Sequence, residues 1–269
     1  MPELPEVETV RCAMERNLLG KRIVSLTTSD KSLREPLPRE RLQALCGSRF
    51  IAARRRAKYL LLELDPGQTL LVHLGMSGNL LFRLAGGKHD HVCFGLDQGL
   101  PLVYTDPRRF GLVTVLTSGE LARCPYLAQL GPEPLSPTFD AAYLQACCQG
   151  RSRPIKTLIM DNQMVVGIGN IYASEALFKA GIRPTTPAAR VGPRRLARLA
   201  QQIKEVLHAA IRQGGTTIGD YQGVGLGGGF QQHLAVYGRG GENCLVCDRP
   251  VVTLALAGRS TYFCRHCQK

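Results

Sequence analysis

Four cysteines near the end of the chain constrain its fold more than any other feature. They form two Cys-x2-Cys pairs, Cys244/Cys247 and Cys264/Cys267, with sixteen residues between the pairs. Each pair places two thiolates on one tight turn, and two such turns complete a tetrahedron around Zn²⁺. The β-rich runs between them predict a hairpin with Arg259 at its tip. Because four thiolates leave no open position for water, we expect this zinc ion to be structural.

The residues before this hairpin divide into a β-rich part and a helical part. After a helix predicted over residues 3–18, seven short runs with a period of two extend to about residue 116, which predicts an antiparallel sandwich or barrel. Three prolines within residues 131–137 predict an extended linker. The sequence then takes on helical periodicity, and a ligand is expected in the cleft between the two parts. We expect three helices there, over residues 138–149, over 170–179 with Asn170 as N-cap, and from Pro193 to Gly214.

Charge indicates the kind of partner. The chain has 34 Lys and Arg against 21 Asp and Glu, a formal net charge of +13, and such an excess is typical of proteins that bind polyanions. The alternative is a solvated basic surface without a partner. The absence of Trp disfavours binding of single strands on aromatic platforms. The arginines come in bursts, which suit bidentate phosphate contacts, at residues 54–56, 108–109, 151–153 and 194–198.

The sequence predicts neither a membrane helix nor an export signal. It contains no run of 18 apolar residues, which a transmembrane helix requires. The first residues are acidic and rich in proline, without the apolar segment of a secretory signal, so we expect a cytosolic protein. The six remaining cysteines are scattered and are expected to be reduced thiols.

The start of the chain carries a chemical group of its own. Proline in second place usually allows removal of Met1, which would leave a free secondary amine at Pro2 with Glu3 beside it. Such an amine attacks aldehyde-level carbon and forms an iminium, while a neighbouring carboxylate moves protons. The alternative is that proline and glutamate only begin a helix, where both are favoured.

Sequence blocks along nearly the whole chain resemble the formamidopyrimidine-DNA glycosylase family. The first is Met-Pro-Glu-Leu-Pro-Glu-Val-Glu-Thr-Val at residues 1–10, and others are His-Leu-Gly-Met-Ser-Gly at 73–78 and Tyr-Thr-Asp-Pro-Arg-Arg-Phe-Gly at 104–111. The order and length of these blocks make chance a poor explanation. The remaining blocks are residues 55–62, 88–92, 130–135, 166–175, 213–217, 236–239 and the four-cysteine hairpin.

The resemblance implies an α+β fold. Its parts are an N-terminal helix with an antiparallel β-sandwich, a linker, a helical domain with a helix-two-turns-helix motif, and a C-terminal β-hairpin zinc finger. The implied domains are a catalytic β-sandwich at residues 1–132, a helical DNA-binding domain at 138–237 and the zinc finger at 238–269.

The resemblance also implies a bifunctional DNA glycosylase and abasic-site lyase of base-excision repair. Such an enzyme excises 8-oxoguanine and formamidopyrimidines from damaged double-stranded DNA, and we expect a monomer in the bacterial cytosol with one structural zinc ion. Pro2 is the implied Schiff-base nucleophile at C1′, and Glu3 the acid/base that assists opening of the sugar ring. Lys58 is the implied proton donor in β-elimination, and Arg259 the donor in δ-elimination.

Further residues are implied as DNA contacts. Because a glycosylase must turn its nucleotide out of the stack, the enzyme needs an apolar wedge to fill the gap. Met76, Arg108 and Phe110 match that wedge, with Arg108 facing the orphaned cytosine. The implied phosphate contacts are Lys58, His89, Arg151 and Asn170. The implied lesion-recognition residues are Glu6, Thr216, Thr217, Ile218 and Tyr221, followed by a glycine-rich loop at 222–230 where the family keeps a loop over the flipped base.

Other functions remain open from the residues alone. A DNA-binding protein without activity, or a zinc-ribbon protein associated with RNA, would share the charge and the hairpin. Neither requires Pro2, Glu3, Lys58 and Arg259 together, so these residues favour the enzyme. Single residues also have alternatives: Met76 as core, Arg259 as an exposed turn residue, and the histidines of residues 88–91 as metal ligands.

Overall fold

A computed structural model describes residues 1–216 and 229–269. Two compact units are present, one formed by Met1–Ala128 with Gln213–Gly229 and the other by Gln129–Arg212 with Phe230–Lys269. Within the described residues, we find no helix that combines the length and the apolar character needed to cross a membrane. The three-domain division given above, with its bounds, stays a prediction.

The first unit begins with the helix predicted over residues 3–18, whose apolar residues recur at the spacing of one helix face. Val7, Val10, Met14 and Leu18 are all buried in the core, which confirms the amphipathic pattern. Eight strands and three short helices follow within residues 19–128. The elements are α1 (Leu4–Leu18), β1 (Ile23–Thr28), α2 (Arg39–Gln43), β2 (Arg49–Arg56), β3 (Tyr59–Asp65), β4 (Gln68–His73), β5 (Asn79–Phe82), β6 (Asp90–Leu96), β7 (Leu102–Thr105), β8 (Leu112–Thr117), α3 (Ser118–Ala122) and α4 (Pro125–Ala128).

These strands form two four-stranded antiparallel sheets, which confirms the predicted sandwich. One sheet has the order β2-β3-β4-β8 and the other β1-β6-β7-β5. Residues of both sheets and of α1 share one hydrophobic core, in which Phe50, Phe94 and Tyr104 are fully buried. Loops that leave the ends of these strands are therefore anchored on a large, closely packed core.

The second unit is helical and carries the cysteine hairpin. The helix predicted over residues 170–179 is present, and Gly181 at its C-cap has a left-handed φ of 71°. Residues 131–137 contain no helix or strand, and Gly131 donates a backbone hydrogen bond to Asn162 of this unit. The elements are α5 (Ala141–Cys148), α6 (Ile155–Ile159), α7 (Asn170–Ala180), α8 (Pro193–Arg212), β9 (Val252–Leu256) and β10 (Arg259–Phe263).

Candidate functional site

The N-terminus of α1 brings two buried carboxylates next to Pro2. Glu3 is the N-cap of this helix, and Glu6 in the first turn accepts a hydrogen bond from the Glu3 backbone N–H at 2.8 Å, as in a capping box. Pro2, Glu3 and Glu6 are all buried, with Glu3 and Glu6 each 2% exposed. The start of the helix thus fixes Glu3 and Glu6, two predicted site residues, relative to each other and next to Pro2, the predicted nucleophile.

Glu6 also holds the segment before the glycine-rich loop. Its Oε1 accepts hydrogen bonds from the Thr216 backbone N–H at 2.8 Å and from Thr216 Oγ1 at 3.0 Å. Gly215 has a φ of +80°, and a Cβ there would lie 2.7 Å from Glu6 Oε1, so only glycine fits. The structure therefore brings together Glu6 and Thr216, two of the residues predicted to recognise the lesion.

The amine of Met1, which precedes Pro2, lies in an environment that favours its neutral form. Burial lowers its pKa below the ordinary value of 8.0, and the positive charges of Lys58 and Arg108 act in the same direction. The carboxylates of Glu3 and Glu6 oppose this shift. A lower pKa leaves more of the amine unprotonated at neutral pH, and the unprotonated amine is the nucleophilic form.

Lys58 lies in the tight turn between β2 and β3. It is 7% exposed, and Ala57 before it has a positive φ of 54°. Other members of the basic run 54–58 have acidic partners, since Arg55 pairs with Glu8 at 2.7 Å and Arg54 pairs with Glu63 at 2.8 Å. Arg54 and Arg55 are therefore both paired with carboxylates of the same unit.

Two loops present the three residues of the predicted wedge. The Met76 loop is residues 74–78, and the Arg108 loop is residues 106–111. Met76 is 37% exposed and Phe110 is 47% exposed, so the alternative that Met76 is a core residue is wrong. The Arg108 guanidinium carbon lies 5.2 Å from the centre of the Phe110 ring, a cation–π contact. Two apolar side chains and a cation are thus offered to solvent on neighbouring loops.

The histidines of residues 88–91 are used in a different way from metal ligands. His91 is 2% exposed, with Nε2 3.0 Å from the Asp106 carbonyl and Nδ1 3.0 Å from Ser29 Oγ. Because both ring nitrogens are engaged, the metal alternative is wrong for His91. His89, a predicted phosphate contact, is half-buried, and its carbonyl accepts hydrogen bonds from Thr105 Oγ1 and from the Asp106 N–H.

In the second unit, Asn170 is tied to the hairpin by a buried lysine. Lys156 is 1% exposed, and its Nζ donates to Asn170 Oδ1 at 2.6 Å and to Thr261 Oγ1 at 2.8 Å. Asn170 Nδ2 in turn donates to the Ser260 carbonyl at 2.8 Å. The prediction of Asn170 as N-cap is wrong: the cap is Gly169, whose backbone is extended, and Asn170 is the first helical residue.

Arg259 and Arg151 are both exposed. Arg259 is the first residue of β10, paired with Leu256, and it follows the two-residue turn of Ala257 and Gly258. The prediction that Arg259 lies at the tip is therefore off by one residue, because the tip is formed by Ala257 and Gly258. Arg259 also lines a surface pocket together with Lys156. Arg151 follows Gly150, which has a positive φ of 67°.

The four cysteines of the hairpin meet as predicted. Their Sγ atoms all lie within 4.8 Å of one another, with 3.9 Å between Cys244 and Cys267 and 3.4 Å between Cys247 and Cys264. A tetrahedron of Zn–S bonds of ~2.3 Å requires sulfur–sulfur distances of about 3.8 Å. The four thiolates are thus placed to hold one structural zinc ion. Thr217, Ile218, Tyr221 and the glycine-rich loop up to residue 228, to which lesion recognition was assigned, lie outside the described residues.

Asp106 and Lys156 are buried residues that hold predicted site residues in place, and the sequence analysis did not predict this role for either. Asp106 stands before a proline at the end of β7, a position typical of loop-forming residues, and this is the one signal that could have marked it. Lys156 carries no such signal, because its partners lie 14 and 105 residues away along the chain.

Three family models match the chain: the formamidopyrimidine-DNA glycosylase N-terminal domain at residues 1–113, its H2TH domain at 130–222, and a zinc finger found in FPG and IleRS at 241–269. Curated formamidopyrimidine-DNA glycosylases of Stutzerimonas stutzeri and Thioalkalivibrio sulfidiphilus are each 48% identical over the whole of both chains.

Solved structures give the same result. The MutM (Fpg) protein of Thermus thermophilus is 39% identical, with a TM-score of 0.90 over 99% of this chain and 98% of that one. A Lactococcus lactis Fpg variant in complex with DNA that contains Fapy-dG is 32% identical, with a TM-score of 0.92 over the whole of both chains. The chain therefore belongs to the formamidopyrimidine-DNA glycosylase family, whose members are enzymes of DNA base-excision repair.

Proposed function

We propose that this chain excises oxidised purines, 8-oxoguanine and formamidopyrimidines, from duplex DNA and then cuts the strand at the abasic site. The observation that carries the proposal is the buried start of α1, where Pro2, Glu3 and Glu6 are buried and the preceding amine of Met1 has a pKa lowered mainly by burial, with a contribution from Lys58. Lactococcus lactis relatives bound to DNA with Fapy-dG or an abasic site support the substrate class.

The first step uses Pro2 as nucleophile after removal of Met1. Its secondary amine attacks C1′, the bond from C1′ to the base breaks, and the base leaves with the amine proton. The nitrogen lone pair then forms the iminium while the C1′–O4′ bond breaks, and Glu3 gives its proton to O4′. Burial of Pro2 and Glu3 suits this step, since a low dielectric strengthens the electrostatic interactions between groups held in fixed positions.

The second step removes the two phosphates. Loss of a proton from C2′ breaks the C3′–O3′ bond, with Lys58 as proton donor, and the 3′ phosphate leaves. Loss of a proton from C4′ then forms a second double bond and breaks the C5′–O5′ bond, so that the 5′ phosphate leaves, with Arg259 as the donor associated with this δ-elimination. Water then hydrolyses the iminium and returns the free amine of Pro2.

The remaining predicted residues bind the duplex. His89, Arg151 and Asn170 contact phosphates together with Lys58, and Glu6 and Thr216 take part in lesion recognition. Met76, Arg108 and Phe110 fill the gap left by the flipped nucleotide, and Arg108 faces the orphaned cytosine. Their exposure supports this role, because wedge residues must be accessible before DNA binds. We further propose that the enzyme acts as a monomer in the bacterial cytosol.

Borohydride trapping tests the nucleophile. We expect reduction to join the protein covalently to a duplex with an abasic site, and mass spectrometry of the digested adduct to place the sugar on the amine of Pro2. A variant in which one additional residue permanently precedes Pro2 should give no adduct, although it still binds the same duplex in a gel-shift assay. An adduct of undiminished yield from that blocked variant would show that Pro2 is not the nucleophile.

A further inference from the structure

The Met76 loop and the Arg108 loop are joined by one buried carboxylate. Asp106 is fully buried, and both of its oxygens accept hydrogen bonds. Oδ1 accepts from Ser77 Oγ at 2.6 Å and from the Arg108 backbone N–H at 3.3 Å, whereas Oδ2 accepts from the Gly111 N–H at 2.8 Å and from the Tyr104 hydroxyl at 3.4 Å. A side chain with this many partners fixes the positions of several loop atoms at once.

Ser77 makes a second link between the same loops. Its Oγ, which donates to Asp106, also accepts from the Arg108 backbone N–H at 3.1 Å. The two loops touch through their backbones as well, since a Cβ on Gly75 would lie 2.5 Å from Phe110 C and from Gly111 N. Each loop therefore sets the position of the other, and hydrogen bonds of Asp106 and Ser77 connect the two loops.

The backbone of Asp106 is hydrogen-bonded to β6 and to His89, the residue just before that strand. Its N–H donates to the His89 carbonyl at 3.0 Å, and its carbonyl accepts from His91 Nε2 at 3.0 Å. Its carbonyl also accepts from the N–H of Arg109, which has a left-handed φ of 57°. Because a non-glycine residue rarely adopts this conformation, the surrounding hydrogen bonds must maintain it.

We infer that Asp106 is a positioning residue that sets how strongly the enzyme discriminates the base opposite the lesion. It touches neither strand; it holds the Arg108 backbone and the Met76 loop so that the Arg108 side chain meets the orphaned cytosine. The inference rests on the proposed function of Arg108. It extends that function to a buried residue, because the direction of an exposed arginine is only as well defined as the backbone that carries it.

Single-turnover excision of 8-oxoguanine opposite cytosine and opposite adenine tests the inference. Asp106→Asn keeps the size of the side chain but replaces one accepting oxygen with a donor. We expect the preference for cytosine to fall about ten-fold, which corresponds to about 1.4 kcal/mol, because the Arg108 backbone loses part of the hydrogen bonding that fixes it. Ser77→Ala should lower the preference in the same direction, and the double variant should lose less than the product of the two effects, because both act on one contact.

Three controls separate the outcomes. Asp97→Asn removes a carboxylate that accepts a backbone N–H from Arg22 beyond the other end of β6, and it should leave the preference unchanged. Borohydride trapping of the wild type shows whether the proposed chemistry holds, and the ratio of excision opposite cytosine to excision opposite adenine in Arg108→Ala shows whether the role of Arg108 holds, both independently of Asp106. If Asp106→Asn or, where that variant does not fold, Ser77→Ala slows both substrates equally at an unchanged ratio, the inference is overturned.

Discussion

The Arg108 loop and the zinc hairpin both carry candidate DNA contacts, but the cores beneath them differ greatly in size. The Arg108 loop rests on a core built from two four-stranded sheets and α1. The hairpin's own cluster has four buried residues, and two of them, Cys244 and Cys264, are zinc ligands. Because so small a cluster buries little apolar area, the metal must supply much of the free energy that orders the hairpin.

This difference shows two ways of holding an exposed arginine in place. On the large core, hydrogen bonds to Asp106 and Ser77 adjust a loop whose support is already stable. On the hairpin, Arg259 depends on the zinc ion and on the contact of Lys156 with Thr261. Loss of a loop contact should therefore change specificity in a folded enzyme, whereas loss of the metal should disorder the element itself.

Removal of zinc should have the largest effect of the changes that test this comparison. Cys247→Ser should lose the metal and the protection of amide hydrogens in β9 and β10, because structural zinc sites contribute ~10–16 kcal/mol in zinc-finger peptides. Hydrogen exchange followed by mass spectrometry should show β3 and β4 unchanged. Cys46→Ser is the matched control, since Cys46 is an exposed free thiol. Full protection of the hairpin in metal-free Cys247→Ser would contradict this account.

Replacement of Lys156 tests the second support of the hairpin. Lys156→Met fills a similar volume but leaves the Asn170 and Thr261 oxygens without their donor, so we expect a loss of about 3 kcal/mol in the free energy of unfolding. Affinity for an abasic-site duplex should fall as well, because Asn170 loses its orientation. Lys179→Met, which removes an exposed charge from α7, measures the general effect of one charge. Equal affinities and equal urea midpoints for the two variants would show that Lys156 supports neither the hairpin nor Asn170.

The sequence predicted the elements whose burial follows a regular period. All seven strand runs and the stripe of α1 were found, since one face of each packs on the core. β1 was missed because a bulge between Ile23 and Ser25 leaves Ile23 and Leu26 buried, three residues apart instead of two. Asn170 was taken for a cap from its residue type, but its side chain bonds Lys156 and Ser260 instead.

The predicted site residues came from local motifs, and the contacts that orient them did not. Zinc ligands have a fixed spacing, so the cysteine cluster was predicted completely. The partners of Asp106 and Lys156 lie on other elements, and no spacing rule relates residues that meet only through sheet topology or helix packing. Sequence patterns thus identify groups that face a ligand more readily than the buried groups that aim them.

The pH dependence of stability gives the smallest expected effect and concerns the base of the Met76 loop. Burial lowers the pKa of His73 to about 3, with smaller contributions from Arg34 and Lys58, and its Nδ1 accepts the Gly75 N–H at 3.0 Å. Since an unfolded histidine has a pKa of about 6.5, the unfolded chain binds the proton first, and stability falls as the pH drops from about 6.5 towards 3.

His73→Asn keeps an acceptor for the Gly75 N–H but cannot titrate. Between pH 6.5 and 5.5 its free energy of unfolding should fall less than that of the wild type, by about 1 kcal/mol. Urea unfolding at several pH values measures this difference, and His208→Asn, which replaces an exposed histidine on α8, should keep the wild-type slope. If His73→Asn also shows the wild-type slope, His73 is accessible to water in the folded protein. The large core would then not shield the base of the Met76 loop from solvent, contrary to the comparison with the hairpin.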